Sequence, residues 1–471
     1  MKNLSQAELD AKGFYKLSLF KQIGFGSGDL AQNLIYQTVS TYLLFFYTNI
    51  FGVAPAAAAT MFLIVRLVDV LWDPFVGAWV DKHNPSFGKY RAYLVLGGIP
   101  LTGLAILTFW NGFSGQLWYA YITYVTLSLC YTLVNVPYGA LNASLTRDTN
   151  EITKLTSTRM FMANMGGLAV QFGVPFIIQH FAPGHDWSKP AASGTWFSVM
   201  LVYALVGFGL LLFCYSQTKE RVVMEADKTE TVRYSDLFTE FVHNRPLRIL
   251  AFFFITAFAM MAVGNSASAY YVQYNVGHQE WLPWFNALGS IPAFIFMPLV
   301  PMIKRKIGKK RMFYLFLSVA IVGMVMLYIV STAGNLKENQ LLVYLAQFVK
   351  STGVIVATGY MWALVPEVIS YGEWRTGKRI SGVVNALTGI FFKAGFALGG
   401  VVPGYVLAMT GFSNDLEVQS PLAQSGILWL VVVIPAILLL LAMWIISMYE
   451  LQDDKIDAIN LEIEKKHIGG K

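Results

Sequence analysis

Twelve long, predominantly apolar stretches run through this chain, and they decide what it can fold into. They fall at about residues 24–50, 55–80, 92–112, 117–146, 158–182, 195–217, 248–276, 281–303, 312–333, 341–371, 380–411 and 425–448. Each reaches the roughly 20 residues a helix needs to cross a bilayer. Strands of a membrane barrel would alternate apolar and polar side chains, and these runs do not, so helices are predicted. Composition points the same way. Of 471 residues, 56% are hydrophobic and 13% charged, where a soluble chain carries about 25% charged residues. The expectation is an all-α membrane protein with 12 transmembrane helices. Cys130 and Cys214 both lie inside apolar runs, so neither a disulfide framework nor a metal site is predicted. The polar N-terminus has no short apolar core followed by a cleavage site, so no cleavable signal peptide is predicted and the first span is expected to direct insertion.

The basic residues set the orientation. With both termini placed in the cytoplasm, 29 of the 34 Lys and Arg residues fall on the inside and two, Lys189 and Lys337, on the outside. Arg66, Lys350 and Lys393 lie within spans. Such a bias is how a membrane chain is oriented, and it accounts for the net charge of +7 without a nucleic-acid partner. The bilayer itself is the expected partner, in a bacterial inner membrane, and no obligate protein partner is predicted. The longest inside loop separates six spans from six. The expected domains are residues 1–217, a central cytoplasmic loop 218–248, residues 249–449 and a cytoplasmic tail 450–471. Gly88-Lys89-Tyr90-Arg91 follows the second span and Gly308-Lys309-Lys310-Arg311 the eighth, 220 residues apart. Twelve spans in two related halves, each with a basic Gly-Lys-x-Arg turn, resemble the plan of major facilitator transporters. The loops 81–91, with Asp81, Gly88, Lys89 and Arg91, and 304–311, with Gly308, Lys309 and Arg311, are the expected inner gates.

Acidic groups deep in the spans are few: Asp29, Asp69, Asp73 and Glu367. A carboxylate at the bilayer centre costs about 2.5–3.5 kcal/mol, so these must face protein, water or an ion. In the second span, Asp69 and Asp73 lie about 40° apart around a helix, and Arg66 about 60° from Asp69. The three form one stripe, with Arg66–Asp69 a possible ion pair. A carboxylate pair binds H⁺ or Na⁺ because one positive charge relieves repulsion and desolvation. A structural salt bridge to a neighbouring helix is the alternative. Asp29, in Gly24-Phe25-Gly26-Ser27-Gly28-Asp29, is a candidate acceptor for sugar hydroxyls, or else a helix N-cap. Lys393 needs a partner from another helix, unless it snorkels to the surface. Tyr360 and Trp362 offer aromatic faces of the kind sugars stack on. Roles for Lys350 and Glu367 do not follow from the sequence.

Several motifs together resemble the glycoside-pentoside-hexuronide:cation symporter family. They are Phe45-Phe46-Tyr47-Thr48-Asn49, Arg66-Leu67-Val68-Asp69 through Asp73-Pro74, Gly88-Lys89-Tyr90-Arg91, and Tyr131-Thr132-Leu133-Val134-Asn135-Val136-Pro137-Tyr138-Gly139-Ala140. Met361-Trp362-Ala363-Leu364 and Tyr371-Gly372-Glu373-Trp374, with Arg379 following, complete the set. The chain looks nearer to glucuronide and xyloside carriers than to the melibiose carrier. The resemblance implies a major facilitator fold, alternating access and no enzymatic activity. It implies a cation site at Asp69, Asp73 and Thr132, and sugar contacts from Asp29, Asn135, Tyr138, Arg159, Trp362 and Lys393. No cofactor beyond the coupling ion is implied. Two positions depart from the melibiose carrier: Trp72 stands where an Asn precedes the second Asp, and Asn135 where an Asp stands in the fourth span. Trp72 offers no oxygen ligand, which favours H⁺ over Na⁺. No counterpart of the C-terminal regulatory domain of some relatives is expected.

The expected function is therefore symport of a small-molecule sugar with a monovalent cation. A xyloside such as isoprimeverose and a β-glucuronide are the expected substrates. An uncoupled facilitator and a Na⁺-coupled galactoside symporter are the alternatives. A membrane enzyme would need a catalytic cluster in a sizeable loop, and a sensor an added signalling domain; the sequence has neither.

Overall fold

The computed structural model describes residues 15–462 apart from Asn84, Arg147, Asp148, residues 222–238, Glu240, residues 377–380, Asp415, Asp453, Asp457 and Asn460. Most of the central loop, and the end of the tail, lie outside these residues. Within them every regular element is a helix.

The chain divides into two compact units, Met1–Asp227 and Lys228–Lys471. The first holds α1 (Leu19–Phe45), α2 (Pro55–Lys82), α3 (Ala92–Thr108), α4 (Leu117–Leu145), α5 (Thr149–Phe181) and α6 (Ser193–Gln217). The second holds α7 (Arg245–Tyr270), α8 (Leu282–Phe296), α9 (Lys309–Thr332), α10 (Gln340–Met361), α11 (Ser381–Met409) and α12, which runs from Pro421 to Ser447 through a π turn. Ten of these are long and apolar enough to cross a membrane. The shorter apolar α3 and the more polar α1 complete the twelve crossings expected from the sequence.

Local signals set the helix ends. The Ser18 side chain caps α1 by accepting from the Lys21 N–H, and Asn244 caps α7 by accepting from Leu247. The first helix of each unit ends alike. A π turn, Phe46–Phe51 or Tyr271–Val276, runs into a glycine at φ +83°, Gly52 or Gly277. The Gly-Lys-x-Arg turns also need left-handed backbone, with Gly88 at φ +126° and Gly308 at φ +82°.

The structure corrects two expectations. Residues 304–311 are not an open loop: a short helix, Val300–Ile307, runs up to Gly308 and α9 starts at Lys309. The fifth span begins at Thr149 rather than 158. The tenth, expected over 341–371, runs through a 3₁₀ turn, Trp362–Leu364, into the helix Val365–Thr376.

In each unit the first helix packs closely against the fifth of its set, α1 on α5 and α7 on α11. Pairing α2 with α4 is what builds the candidate site.

Candidate functional site

Two polar clusters stand in the first unit. The first lies between α2 and α4. Asp69 and Asp73, four residues apart, sit on one stripe of α2. Ser128 and Thr132, also four apart, sit on the facing stripe of α4. Ser128 Oγ donates to Asp69 Oδ1 at 2.5 Å, and Thr132 Oγ1 donates to Asp73 Oδ1 at 3.1 Å. The shared helical period makes two parallel rungs. Arg66 Nη1 lies 3.4 Å from Asp69 Oδ2, so the ion pair expected from the i,i+3 spacing is formed. Asp69 is buried and Asp73 half-buried. Trp72 turns towards α4, where its Nε1 donates to the Leu129 carbonyl at 3.1 Å. It also stacks on Phe75, at 4.9 Å between ring centres. Two carboxylates, two hydroxyls and one guanidinium thus share a small volume, in which a cation gains Coulomb energy poorly screened by water.

The second cluster joins α1, α4 and α5. Arg159 Nε donates to Asp29 Oδ2 at 2.5 Å and Nη2 to Oδ1 at 3.3 Å. This is the two-bond fork for which arginine is suited. The guanidinium lies 4.6 Å from the Tyr138 ring centre and 5.6 Å from that of Phe25. Tyr138 Oη donates to the Phe25 carbonyl at 2.7 Å and to Asp29 Oδ2 at 3.2 Å. Asp29 lies eleven residues beyond the Ser18 cap, so it is not an N-cap. Arg159, at the start of the span predicted over 158–182, sits inside α5 as half of an ion pair. Beside it, Asn135 Nδ2 donates to Gln32 Oε1 at 3.0 Å and to Tyr131 Oη at 3.4 Å. Tyr131 stacks on Tyr36 at 5.2 Å. Hydrogen-bonding amides beside aromatic faces are the chemistry that binds sugar hydroxyls and ring faces.

In the second unit, Trp362 is 46% exposed at the 3₁₀ turn of α10. Its ring packs against Phe254 at 4.8 Å and Phe392 at 6.0 Å. Lys393, half-buried, is the next residue of α11. The ammonium of Lys350 lies 5.9 Å from the Phe285 ring centre.

The gate residues divide. The Glu220 carboxylate accepts from three successive backbone N–H groups, those of Lys89, Tyr90 and Arg91, at 2.7–2.9 Å. Arg91 Nη1 donates to the Thr218 carbonyl at 2.9 Å. In the second unit Lys309 is 2% exposed. It donates to Glu367 at 2.6 Å and to the Leu451 carbonyl at 2.9 Å. Tyr449 also donates to Glu367, at 3.1 Å. Arg311 is exposed. The side chain of Asp81 lies outside the described residues.

Sequence reasoning missed Ser128, Gln32, Tyr131 and Glu220. Ser128 alone had a signal, since it precedes Thr132 by the same four residues that separate Asp69 from Asp73.

Comparison with known proteins adds the following. The family described as MFS/sugar transport protein matches residues 24–453. An uncharacterized symporter of Bacillus subtilis is 44% identical over 96% of both chains. A glucuronide carrier protein homologue of Escherichia coli is 30% identical over 94% of this chain and 95% of its own. Among solved structures, a bacterial homologue of the human lysosomal transporter Spinster, inward-facing and unoccupied, superposes with a TM-score of 0.66. That match covers 93% of this chain and all of the other at 13% identity, and so speaks to the fold alone.

Proposed function

The chain belongs to the MFS/sugar transport protein family, and from that premise we propose that it takes up a glycoside together with a proton by alternating access. In this reading both termini face the cytoplasm of a bacterial inner membrane, which the excess of basic residues on that side supports. The observation that carries the reading is the double rung of Asp69–Ser128 and Asp73–Thr132 between α2 and α4. In a protein interior such carboxylates are costly unless a cation accompanies them.

Asp69 already carries a guanidinium through Arg66. Asp73 is therefore the proton acceptor in this reading, with Thr132 fixing its oxygen. Protonation removes one charge from the pair and favours sugar binding beside Asp29, Gln32, Asn135, Tyr138 and Arg159. Trp362 and Lys393 are the sugar contacts this reading expects in the second unit, taken by itself. Coupling arises when both ligands favour the same state of the carrier.

A neutral xyloside is the preferred substrate. The charge of Arg159 is engaged bidentately by Asp29, which leaves it poorly placed to neutralise a sugar carboxylate. A β-glucuronide is the second reading, favoured by the relative named as a glucuronide carrier homologue. A sodium ion in place of the proton is favoured by the Ser128 hydroxyl, which adds a hard oxygen to the set.

The test is uptake of labelled isoprimeverose and of a labelled β-glucuronide into proteoliposomes, with proton and sodium gradients imposed separately. A proton gradient should drive accumulation of the xyloside, and Asp73→Asn should leave only equilibration. Accumulation without any imposed gradient, or undiminished accumulation in the variant, would remove the cation assignment.

A further inference from the structure

The second unit carries a groove that the transport reading does not use. It runs between α7, α11 and α12, with a volume of about 670 Å³. Its walls are almost wholly apolar. Phe252, Leu398, Leu441 and Trp444 are among them, and these four are 54%, 57%, 41% and 62% exposed. From Arg248 to Val263 the α7 wall is about 22 Å long at 1.5 Å per residue. That is the length of an extended fatty-acyl chain rather than of a sugar. The walls belong to spans whose surroundings are lipid, and a wide apolar trench there is filled by something.

One end of the trench is charged. Arg245 and Arg248 line it where α7 begins, on the basic side of the membrane. Arg245 Nη1 pairs with Glu450 Oε1 at 2.8 Å, which balances those two charges. The guanidinium of Arg248 has no hydrogen bond or ion pair among the described residues, and its side chain is exposed. A free guanidinium suits a phosphate, to which it can donate two parallel bonds. Trp444 is a residue type that favours the headgroup boundary.

In the first unit the corresponding helices, α1 and α6, are tied together, with Ser27 Oγ donating to the Leu210 carbonyl at 3.2 Å and Cys214 Sγ to the Phe25 carbonyl at 3.5 Å.

The geometry points to a bound anionic phospholipid. One acyl chain lies in the trench between α7, α11 and α12, and the phosphate sits on Arg248. Basic pockets between spans on the cytoplasmic side are where such headgroups are recognised. The site does not depend on which sugar or cation the protein carries.

Native mass spectrometry of the purified full chain tests this, with equimolar phosphatidylglycerol and phosphatidylethanolamine of matched acyl chains. Wild type should retain phosphatidylglycerol at least several-fold in preference. Arg248→Ala should abolish the preference, and Val402→Trp, which fills the trench, should reduce retention of that first lipid. Arg305→Ala with Lys306→Ala removes two exposed charges elsewhere and should leave the preference intact. Equal retention of the two lipids by wild type overturns the proposal. So does a preference that survives Arg248→Ala, or that is lost equally in the Arg305/Lys306 control. A lipid-free dimer that dissociates on Phe252→Ala with Trp444→Ala would give the groove to a second copy and overturn it too.

Discussion

Replacing Asp29 by Asn strands a charge that cannot be discharged. Arg159 stays protonated under all ordinary conditions, and its side chain and that of Asp29 are 19% and 14% exposed. Removing one partner of a buried ion pair costs about 3–5 kcal/mol, because the other charge remains desolvated. Both side chains keep some exposure, and an Asn oxygen still accepts one bond from the guanidinium. A cost at or just below the bottom of that range, about 2–3 kcal/mol, is therefore expected. Removing both partners is a different perturbation. The double variant D29L/R159L places apolar groups among Phe25, Tyr138 and Cys214, and Tyr138 keeps its bond to the Phe25 carbonyl. Such replacements of a buried pair are often neutral. The double variant should therefore recover most of the stability lost by D29N. Thermal unfolding of the detergent-solubilised protein reads the stability term, and sugar accumulation in proteoliposomes reads function. A double variant that is stable but unable to bind sugar would mark the pair as part of the sugar site. One that is stable and fully active would make it a structural clamp between α1 and α5. The physical reasoning fails if D29N is as stable as wild type, or if the double variant is no more stable than the single.

Three further outcomes follow from the geometry. Glu220→Ala removes the acceptor of the Lys89, Tyr90 and Arg91 N–H groups at the start of α3. It should cost about 1–2 kcal/mol locally, read as faster hydrogen exchange at those amides; unchanged protection would refute the cap. His278 joins the α7–α8 loop to the α9–α10 loop. Its ring is raised above its ordinary pKa first by the hydrogen bond to Glu338, which outweighs the opposing effect of burial, and then by the hydrogen bond to Glu280. A raised pKa means that the stabilisation is full below the unfolded value near 6.5 and is lost as pH rises through the folded value. The stability gap between wild type and His278→Asn should be open at about pH 5.5 and closed at about pH 8.5; a gap independent of pH would sink the assignment. Finally, a side chain at Gly353 would collide with the Phe316 carbonyl and the backbone of Ala320 where α10 crosses α9. Gly353→Val should lower the yield of folded protein, with overpacking of about 1–3 kcal/mol, and a normal yield would show the crossing to be looser than drawn.

Much of this was legible before any coordinates, for reasons specific to each residue. A span must satisfy its backbone internally and show lipid an apolar surface, so apolar runs in the sequence point to most of the crossings. The Arg66–Asp69 pair follows from helical spacing because both partners share one helix. Contacts between helices were less accessible. Ser128 is an ordinary residue in an apolar span until its phase is matched to that of Asp69. Arg159 fell at the edge of an apolar run because the first turns of α5, from Thr149, are polar. Hydropathy therefore placed it at the very start of the fifth span, and its partner Asp29 is 130 residues away.

The repeated Gly-Lys-x-Arg turn shows where sequence similarity stops determining interaction. Both turns bend at a glycine with positive φ, and both fasten to the chain that follows the last helix of their own unit. The chemistry of fastening is reversed. In the first unit an external carboxylate, Glu220, holds the turn by its backbone N–H groups, and the half-buried Lys89 side chain lies 5.2 Å from the Tyr90 ring centre. In the second, the lysine itself is drawn inward. Lys309 donates to Glu367 and to the Leu451 carbonyl and is buried. A backbone clamp tolerates substitution of its lysine, whereas a buried ammonium bonded to a carboxylate does not. Lys89→Ala should thus be nearly silent and Lys309→Ala severe, because only the second leaves a desolvated carboxylate, that of Glu367, without its cation. Equal effects of the two substitutions on folded yield would show that the motif acts through its charge alone.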